Sequence, residues 1–308
     1  MEQMLVLFNP SSNQGRAAKK KTDLEDALRR AGLKFTFVVT QSLGHLRRVA
    51  RDAGRSYSLI VGAGGDSTYS LIAAEILAGR VGATLGMIPM GSSNDVPREF
   101  GLDKMEKAIL ALKEGRTRRI DVGVVRTGGT PIGCFLGQAN VGLGAVVNRR
   151  VARMAERRWK TARLQWAAGF VAIRAAYWSG EVPLRLEIES GGKTTAGRFL
   201  AAVFSNIRYW ATGRLFAPEA RTDDGVLDLC LIKPCPFIRL AEIYRLAGKG
   251  RHGRFRQVEF QKSANFRLRS EFPLEIQADG EILGTPDGRA KFTELEIGIA
   301  PKALNIIV

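Results

Sequence analysis

The chain has 308 residues, 45% of them apolar and 25% charged, which excludes a disordered protein and predicts two domains rather than one core. Its 47 Lys and Arg against 30 Asp and Glu leave a net charge of +17, so an anionic partner is expected: nucleic acid, a bilayer surface or a polyphosphate. Cys134, Cys230 and Cys235 lack metal-ligand or redox spacing, which argues against a zinc or disulfide framework and suits a reducing cytoplasm.

Met4–Phe8 reads as a buried first strand rather than the charged-then-apolar order of a signal peptide. A helical pattern follows through Ala17–Ala31, then a strand at Phe35–Val39 and a helix near Leu43–Ala53. Ser58–Gly62 and Leu85–Ile88 are further strands, followed by helices at Tyr69–Leu77 and near Lys104–Glu114. This alternation predicts a doubly wound parallel α/β domain over residues 1–125, with ligands beyond the carboxyl ends of its strands. After Ile120 the pattern changes. Leu184–Glu189, Arg198–Phe204, Leu227–Ile232, Arg256–Phe260, Phe266–Arg269, Leu274–Ala278 and Glu294–Gly298 read as short strands. They predict a mostly antiparallel β-sandwich over 126–298, with 299–308 returning to the first domain.

A basic helical region, about Arg149–Tyr177, interrupts the strands. Arg149, Arg150, Arg153, Arg157, Arg158, Lys160 and Arg163 face the single acid Glu156, and Lys249, Arg251, Arg254 and Arg256 form a second cluster. The apolar stretch around Trp166–Trp178 is broken by Arg174 and is too short to span a bilayer, so contact with a membrane is expected but not crossing. No recognised RNA or DNA module accompanies the basic clusters, so nucleic acid is not the expected partner.

Three loops follow strands of the first domain: Asn9-Pro10-Ser11-Ser12-Asn13-Gln14-Gly15, Gly62-Ala63-Gly64-Gly65-Asp66-Ser67-Thr68 and Pro89-Met90-Gly91-Ser92-Ser93-Asn94-Asp95. Glycine lets backbone approach a phosphate closely, and a helix start behind each loop would supply free amides. One such loop is an ordinary turn; three at one sheet edge predict a phosphate site. Neither a P-loop nor the dinucleotide glycine fingerprint is present. Neither histidine, His45 or His252, falls in these loops, so a carboxylate is favoured over a histidine as general base.

In order and spacing the loops resemble the diacylglycerol kinase catalytic domain family, which includes sphingosine kinase, ceramide kinase and bacterial soluble lipid kinases. The likeness continues through Asn206, Gly213, Pro218, Asp223-Asp224-Gly225-Val226-Leu227-Asp228 and Asp279-Gly280-Glu281. It implies an ATP-dependent lipid kinase that uses Mg2+. It implies a cytoplasmic protein, peripheral to an anionic membrane that holds its lipid substrate, and leaves a homodimer open. By resemblance, Asn9, Pro10, Ser11, Ser12, Asn13, Thr40, Gly64, Gly65, Asp66, Ser67, Thr68, Tyr69, Ser70, Leu71, Gly91 and Ser92 would line the nucleotide site. Asn94, Asp95 and Arg98 would shape the cleft, and Asp66 would act on a catalytic Mg2+ or as a polar anchor. Asp224 and the carbonyls of Arg221 and Val226 would hold a structural Mg2+. Asp279 or Glu281 would be the base, and Asp121 marks another acidic position of the family grouped with them. Trp159, Trp166, Tyr209 and Trp210 would suit the bilayer surface, with core packing the alternative.

The chain departs from the family pattern at Ser67, which replaces a glycine; if that position needs positive φ, the cost is about 1 kcal/mol. Asn13 replaces another glycine, Gln14 stands where relatives carry a basic residue, and Ala211-Thr212-Gly213 replaces a glycine run. These changes keep two alternatives in view: a catalytically impaired lipid- or nucleotide-binding homologue, and an NAD-kinase-like enzyme.

Overall fold

The computed structural model describes residues 4–54, 56–79, 82–156, 171–284 and 292–308. Arg157, Arg158, Trp159, Lys160, Arg163 and Trp166, given above to the basic cluster and the bilayer surface, lie outside these residues.

The first half alternates β1 (Met4–Phe8), α1 (Lys21–Arg30), β2 (Phe35–Val39), α2 (Leu43–Ala53), β3 (Leu59–Gly64), α3 (Asp66–Gly79), β4 (Thr84–Pro89), α4 (Asp95–Glu99) and α5 (Met105–Glu114). β1 is buried along its whole length because both its edges are paired, in parallel, with β2 and β3. α1 buries Leu24 and Leu28, one turn apart. α2 starts where the Ser42 hydroxyl accepts the His45 amide. The strand order β2-β1-β3-β4 reverses direction between β1 and β3, so the first two loops leave the sheet at a topological switch point.

The rest runs β5 (Thr117–Thr127), β6 (Thr130–Phe135), β7 (Gln138–Gly142), α6 (Leu143–Glu156), α7 (171–177), β8 (Leu184–Ser190) and β9 (Lys193–Phe199). It continues with β10 (Ala201–Ser205), β11 (Tyr209–Trp210), β12 (Arg214–Leu215), β13 (Leu227–Ile232), α8 (Phe237–Ala247) and β14 (Val258–Ser263). The last strands are β15 (Asn265–Leu274), β16 (Ile276–Ala278), β17 (Glu281–Ile282) and β18 (Phe292–Ile307). A sheet ordered β14-β13-β10-β7-β16-β17 faces one containing β18, β15, β8 and β9. Phe204 and Phe266, one from each sheet, meet edge to face at 5.2 Å in the core between them. The fold is thus a doubly wound α/β unit with an antiparallel sandwich.

Two predicted strands are each divided by a corner. Arg198–Phe204 splits at Leu200, with β9 in one sheet and β10 in the other; Leu274–Ala278 splits at Glu275 in the same way. The first reads as a continuous apolar run and the second as one alternating strand, because each side of a corner is buried. β18 pairs with β15 at its start and lies parallel to β4 near its end, at Ile306 opposite Leu85. β5 follows it antiparallel from Glu296–Arg126 to Ile307–Thr117. Among the described residues no helix is long and apolar enough to cross a membrane.

Candidate active site

The three loops converge at the carboxyl edge of β1, β3 and β4. Asn9 ties the first to the second: its amide donates to the Ala63 carbonyl at 2.9 Å, and its Nδ2 donates to Thr68 Oγ1 at 3.1 Å. The Asn9 Oδ1 accepts the Ser11 amide, and Ser12 through Ala17 continue as overlapping turns. Asn13 (φ 52°) and Gln14 (φ 57°) are left-handed, a conformation asparagine tolerates better than most. Pro10 and Ser12 are half-buried and Ser11 exposed. α1 begins only at Lys21, after a short 3-10 turn, so no α-helix start stands directly behind this loop, contrary to expectation.

The second and third loops touch backbone to backbone. A Cβ on Gly91 would lie 2.6 Å from the Gly65 Cα, so glycine is required for this approach itself. Asn94 closes the third loop by accepting the Gly91 amide and donating to its carbonyl. The exposed Ser92 lies at the tip. Asp66, at the first position of α3, reaches across to accept the amides of Asp95 (3.1 Å) and Val96 (3.0 Å). Its carboxylate therefore caps α4, whose first amides are not left open for phosphate as expected. Burial, and then the neighbouring Asp95 and Asp279 carboxylates, push the Asp66 carboxyl up to about 7. Asp95 in turn accepts the amides of Thr212 (3.1 Å) and Gly213 (2.6 Å), beside Arg98 at 3.9 Å, and so pins the sandwich to the α/β half.

Ser67 lies inside α3 and is absent from the left-handed residues, so the strain expected there does not arise. The strain falls instead at Ala211 (φ 51°) and Thr212 (φ 69°), which replace the glycine run and precede the left-handed Gly213 (φ 85°). Thr68, Tyr69, Ser70 and Leu71 are buried. The Tyr69 hydroxyl is shared between the Gly64 and Ile88 carbonyls, and Thr40 donates its hydroxyl to the Phe8 carbonyl. These five, expected to line a nucleotide site, are buried in the interior.

Asp279, buried and left-handed (φ 43°), projects a carboxylate from the β16–β17 hairpin. It accepts the Ser70 hydroxyl at 2.5 Å and the amides of Leu136 (2.7 Å), Gly137 (3.1 Å) and Gln138 (2.8 Å). Burial pushes its carboxyl up, against the pull of these donors. Both oxygens are committed, which leaves no lone pair for a substrate. Glu281, two residues on and half-buried, interacts with the Ser67 hydroxyl; burial raises its carboxyl, opposed by Ser67 and by the positive charge of Arg47. Sequence reasoning missed Arg47, exposed on α2 one turn before the Arg51–Glu75 ion pair, and the Leu136–Gln138 amides. The signal for the amides was Gly137, where a Cβ would meet Asp279 Oδ1 at 2.7 Å.

Asp121, grouped above with the catalytic residues, is fully buried and turned to a different task. Its oxygens accept the Gly225 amide (2.7 Å) and the Lys302 amide (2.6 Å), so it braces the Asp-Asp-Gly turn against β18. In that turn the exposed Asp224 accepts the Val226 amide at 3.3 Å, and Arg118 pairs with Asp223. The Asp224 carboxylate, exposed and lightly bonded, keeps lone pairs that suit a hard cation. Among the described residues no three His, Cys, Asp or Glu side chains gather closely enough to hold a metal by themselves. A cation here would share its ligands with carbonyls or phosphate oxygens.

Glycine-lined loops at a switch point thus face a carboxylate hairpin from the β-sandwich. The chain belongs to the diacylglycerol kinase catalytic domain family: residues 3–125 match that domain, and residues 137–308 match the YegS C-terminal NAD kinase beta sandwich-like domain. It is 28% identical to the "Probable lipid kinase YegS-like" of Pseudomonas aeruginosa, over 91% of this chain and 86% of that one. It is 27% identical to a diacylglycerol kinase of Mycobacterium tuberculosis, over 98% and 94%. A diacylglycerol kinase structure from Bacillus anthracis str. Sterne shares the fold at a TM-score of 0.69, with 17% identity and coverage of 99% and 96%.

Proposed function

We propose that this enzyme transfers the γ-phosphate of ATP to the free hydroxyl of diacylglycerol or a closely related lipid. The observation that carries the reading is the Glu281 carboxylate beside Ser67, at the start of α3, on the rim the three loops form. The triphosphate lies along that rim. The earliest α3 amides engaged locally are those of Thr68 and Tyr69, both on Gly65, so the amides before them face the phosphates. Asp224, with the carbonyls of Arg221 and Val226, would hold an Mg2+ that stiffens the Asp-Asp-Gly turn, and Mg2+ carried in with the nucleotide would neutralise phosphate charge.

Glu281 takes the proton of the lipid hydroxyl as its oxygen bonds the γ-phosphorus, and the bond to the β-phosphate oxygen breaks to release ADP. Its raised pKa suits that role, since a carboxylate of ordinary pKa is a weak base. Asp279 holds the hairpin, Arg98 borders the cleft beside Asp95, and Arg47 faces the developing negative charge.

The test is ATP consumption with vesicle-borne diacylglycerol, phosphatidylglycerol and ceramide, and with NAD in place of lipid. Turnover on a lipid and none on NAD is expected. NAD turnover alone would replace the reading with that of an NAD kinase, the relation suggested by the sandwich's own family description.

A further inference from the structure

One end of the sandwich half exposes large apolar side chains within a ring of arginines. α7 turns Ala172 and Ala176 inward and Val171 and Arg174 outward, with Trp178 outward just past its end. Trp178 is 61% exposed, and Ile238, at the start of α8, is 77% exposed. The two helices are locked together: Tyr177 donates its hydroxyl to the Cys235 carbonyl at 2.7 Å, and Trp178 packs on Phe237 at 4.9 Å. Arg174 lies over the Trp178 ring, and Arg254 and Arg239, the latter also paired with Glu242 at 2.8 Å, lie over Phe255.

We infer that this end, centred on Trp178 and Ile238, is the surface by which the protein enters the headgroup layer of an anionic bilayer. It rests on the lipid-acceptor reading above. Apolar tips flanked by cations match a bilayer with apolar depth and negative headgroups, each nearby arginine contributing about 1 kcal/mol. A second copy fits poorly. The patch is on the order of a few hundred Å2, below the ~800 Å2 per partner of a stable dimer, and it would bring like-charged arginines together. The site is also tied to the catalytic hairpin. On α6, Asn148 donates to the Gly280 carbonyl at 2.7 Å, while Arg150, two residues on, pairs with Glu181 at 2.6 Å. Glu181 is three residues from Trp178, so a short run of contacts through α6 links the patch to the hairpin. Membrane entry at Trp178 is therefore mechanically coupled to the hairpin that carries Glu281.

The experiment is cosedimentation, without nucleotide, with phosphatidylcholine vesicles that contain or lack phosphatidylglycerol. The wild type is compared with Trp178→Ser/Ile238→Ser and Arg174→Gln/Arg239→Gln. Each double variant is expected to lose about tenfold or more in affinity for anionic vesicles. Turnover on a short-chain, water-dispersed diacylglycerol should stay at the wild-type rate, which shows that the variants are folded. Unchanged vesicle binding in both variants, or equal wild-type binding to neutral and anionic vesicles, overturns the inference. So does a solution dimer that only the apolar variant loses. If the predicted binding pattern appears while no lipid is phosphorylated, the surface stands and the kinase reading falls.

Discussion

A general base must offer a lone pair to a hydroxyl, and the two carboxylates of the β16–β17 hairpin differ in what they have left to offer. Asp279 spends both oxygens on Ser70 and three consecutive amides. Replacing it with Asn puts an NH2 group against amide donors, at a cost of about 3 kcal/mol that differential scanning calorimetry would register. Glu281→Gln should leave the melting temperature within a degree or two and cut turnover about 100- to 10,000-fold, with ATP affinity held in isothermal titration. Because burial raises the Glu281 carboxyl, the wild-type rate should climb with pH through a midpoint above about 4.3, the ordinary glutamate value. A midpoint at or below that value would remove Glu281 from the role. Backbone strain gives a second contrast. Ser67→Gly relieves no strain but removes the hydroxyl that lowers the Glu281 carboxyl, so the midpoint of the pH–rate profile should move up. Thr212→Gly relieves a β-branched residue at φ 69° and should stabilise by about 1 kcal/mol, provided the Asp95 contacts persist.

The elements show why some of this was legible and some was not. Glycine, asparagine and aspartate after consecutive strands announce loops that bend sharply, and the alternation of strand and helix places them on one edge. What each polar group faces depends on elements distant in sequence. Asp66 caps α4, 29 positions further on, and Asp121 meets Lys302 near the carboxyl terminus; no local pattern carries either contact. The corners at Leu200 and Glu275 escaped for the same reason: a residue buried by either of two sheets reads the same in one dimension. The Asp66 cap has a thermodynamic consequence. A carboxyl held near 7 in the folded state binds its proton more tightly than in the unfolded chain. Its stabilisation is full below about pH 4 and is lost as pH rises through 7. Asp66→Asn should remove that loss. In urea titrations the stability of the variant relative to wild type should improve from pH 5 to pH 8 by on the order of 1 kcal/mol. A constant difference would mean that Asp66 is ionised throughout.

At the scale of the whole molecule, the α/β unit and the sandwich share two strands instead of a linker. β18 completes the parallel sheet beside β4 and then belongs to the sandwich beside β15, and β5 accompanies it along most of its length. Leu304, Ile306 and Ile307 are buried in the α/β core, while Leu295 and Ile297 of the same strand are buried between the sandwich sheets. A strand anchored in both cores transmits the loss of either one to the other, so the two halves should unfold together although they are large enough to be separate domains. Ile306→Ala lies entirely on the α/β side and leaves a cavity worth about 2 to 5 kcal/mol. If the ribbon couples the halves, calorimetry should show one endotherm, displaced as a whole to lower temperature. The near-ultraviolet signal of the sandwich aromatics, Phe204 and Trp210 among them, should be lost at the same point. Two endotherms, with only the first displaced, would mean that the halves are thermodynamically independent. The cleft between the loops and Glu281 would then be a moving joint, and its spacing could not be set by the shared strands.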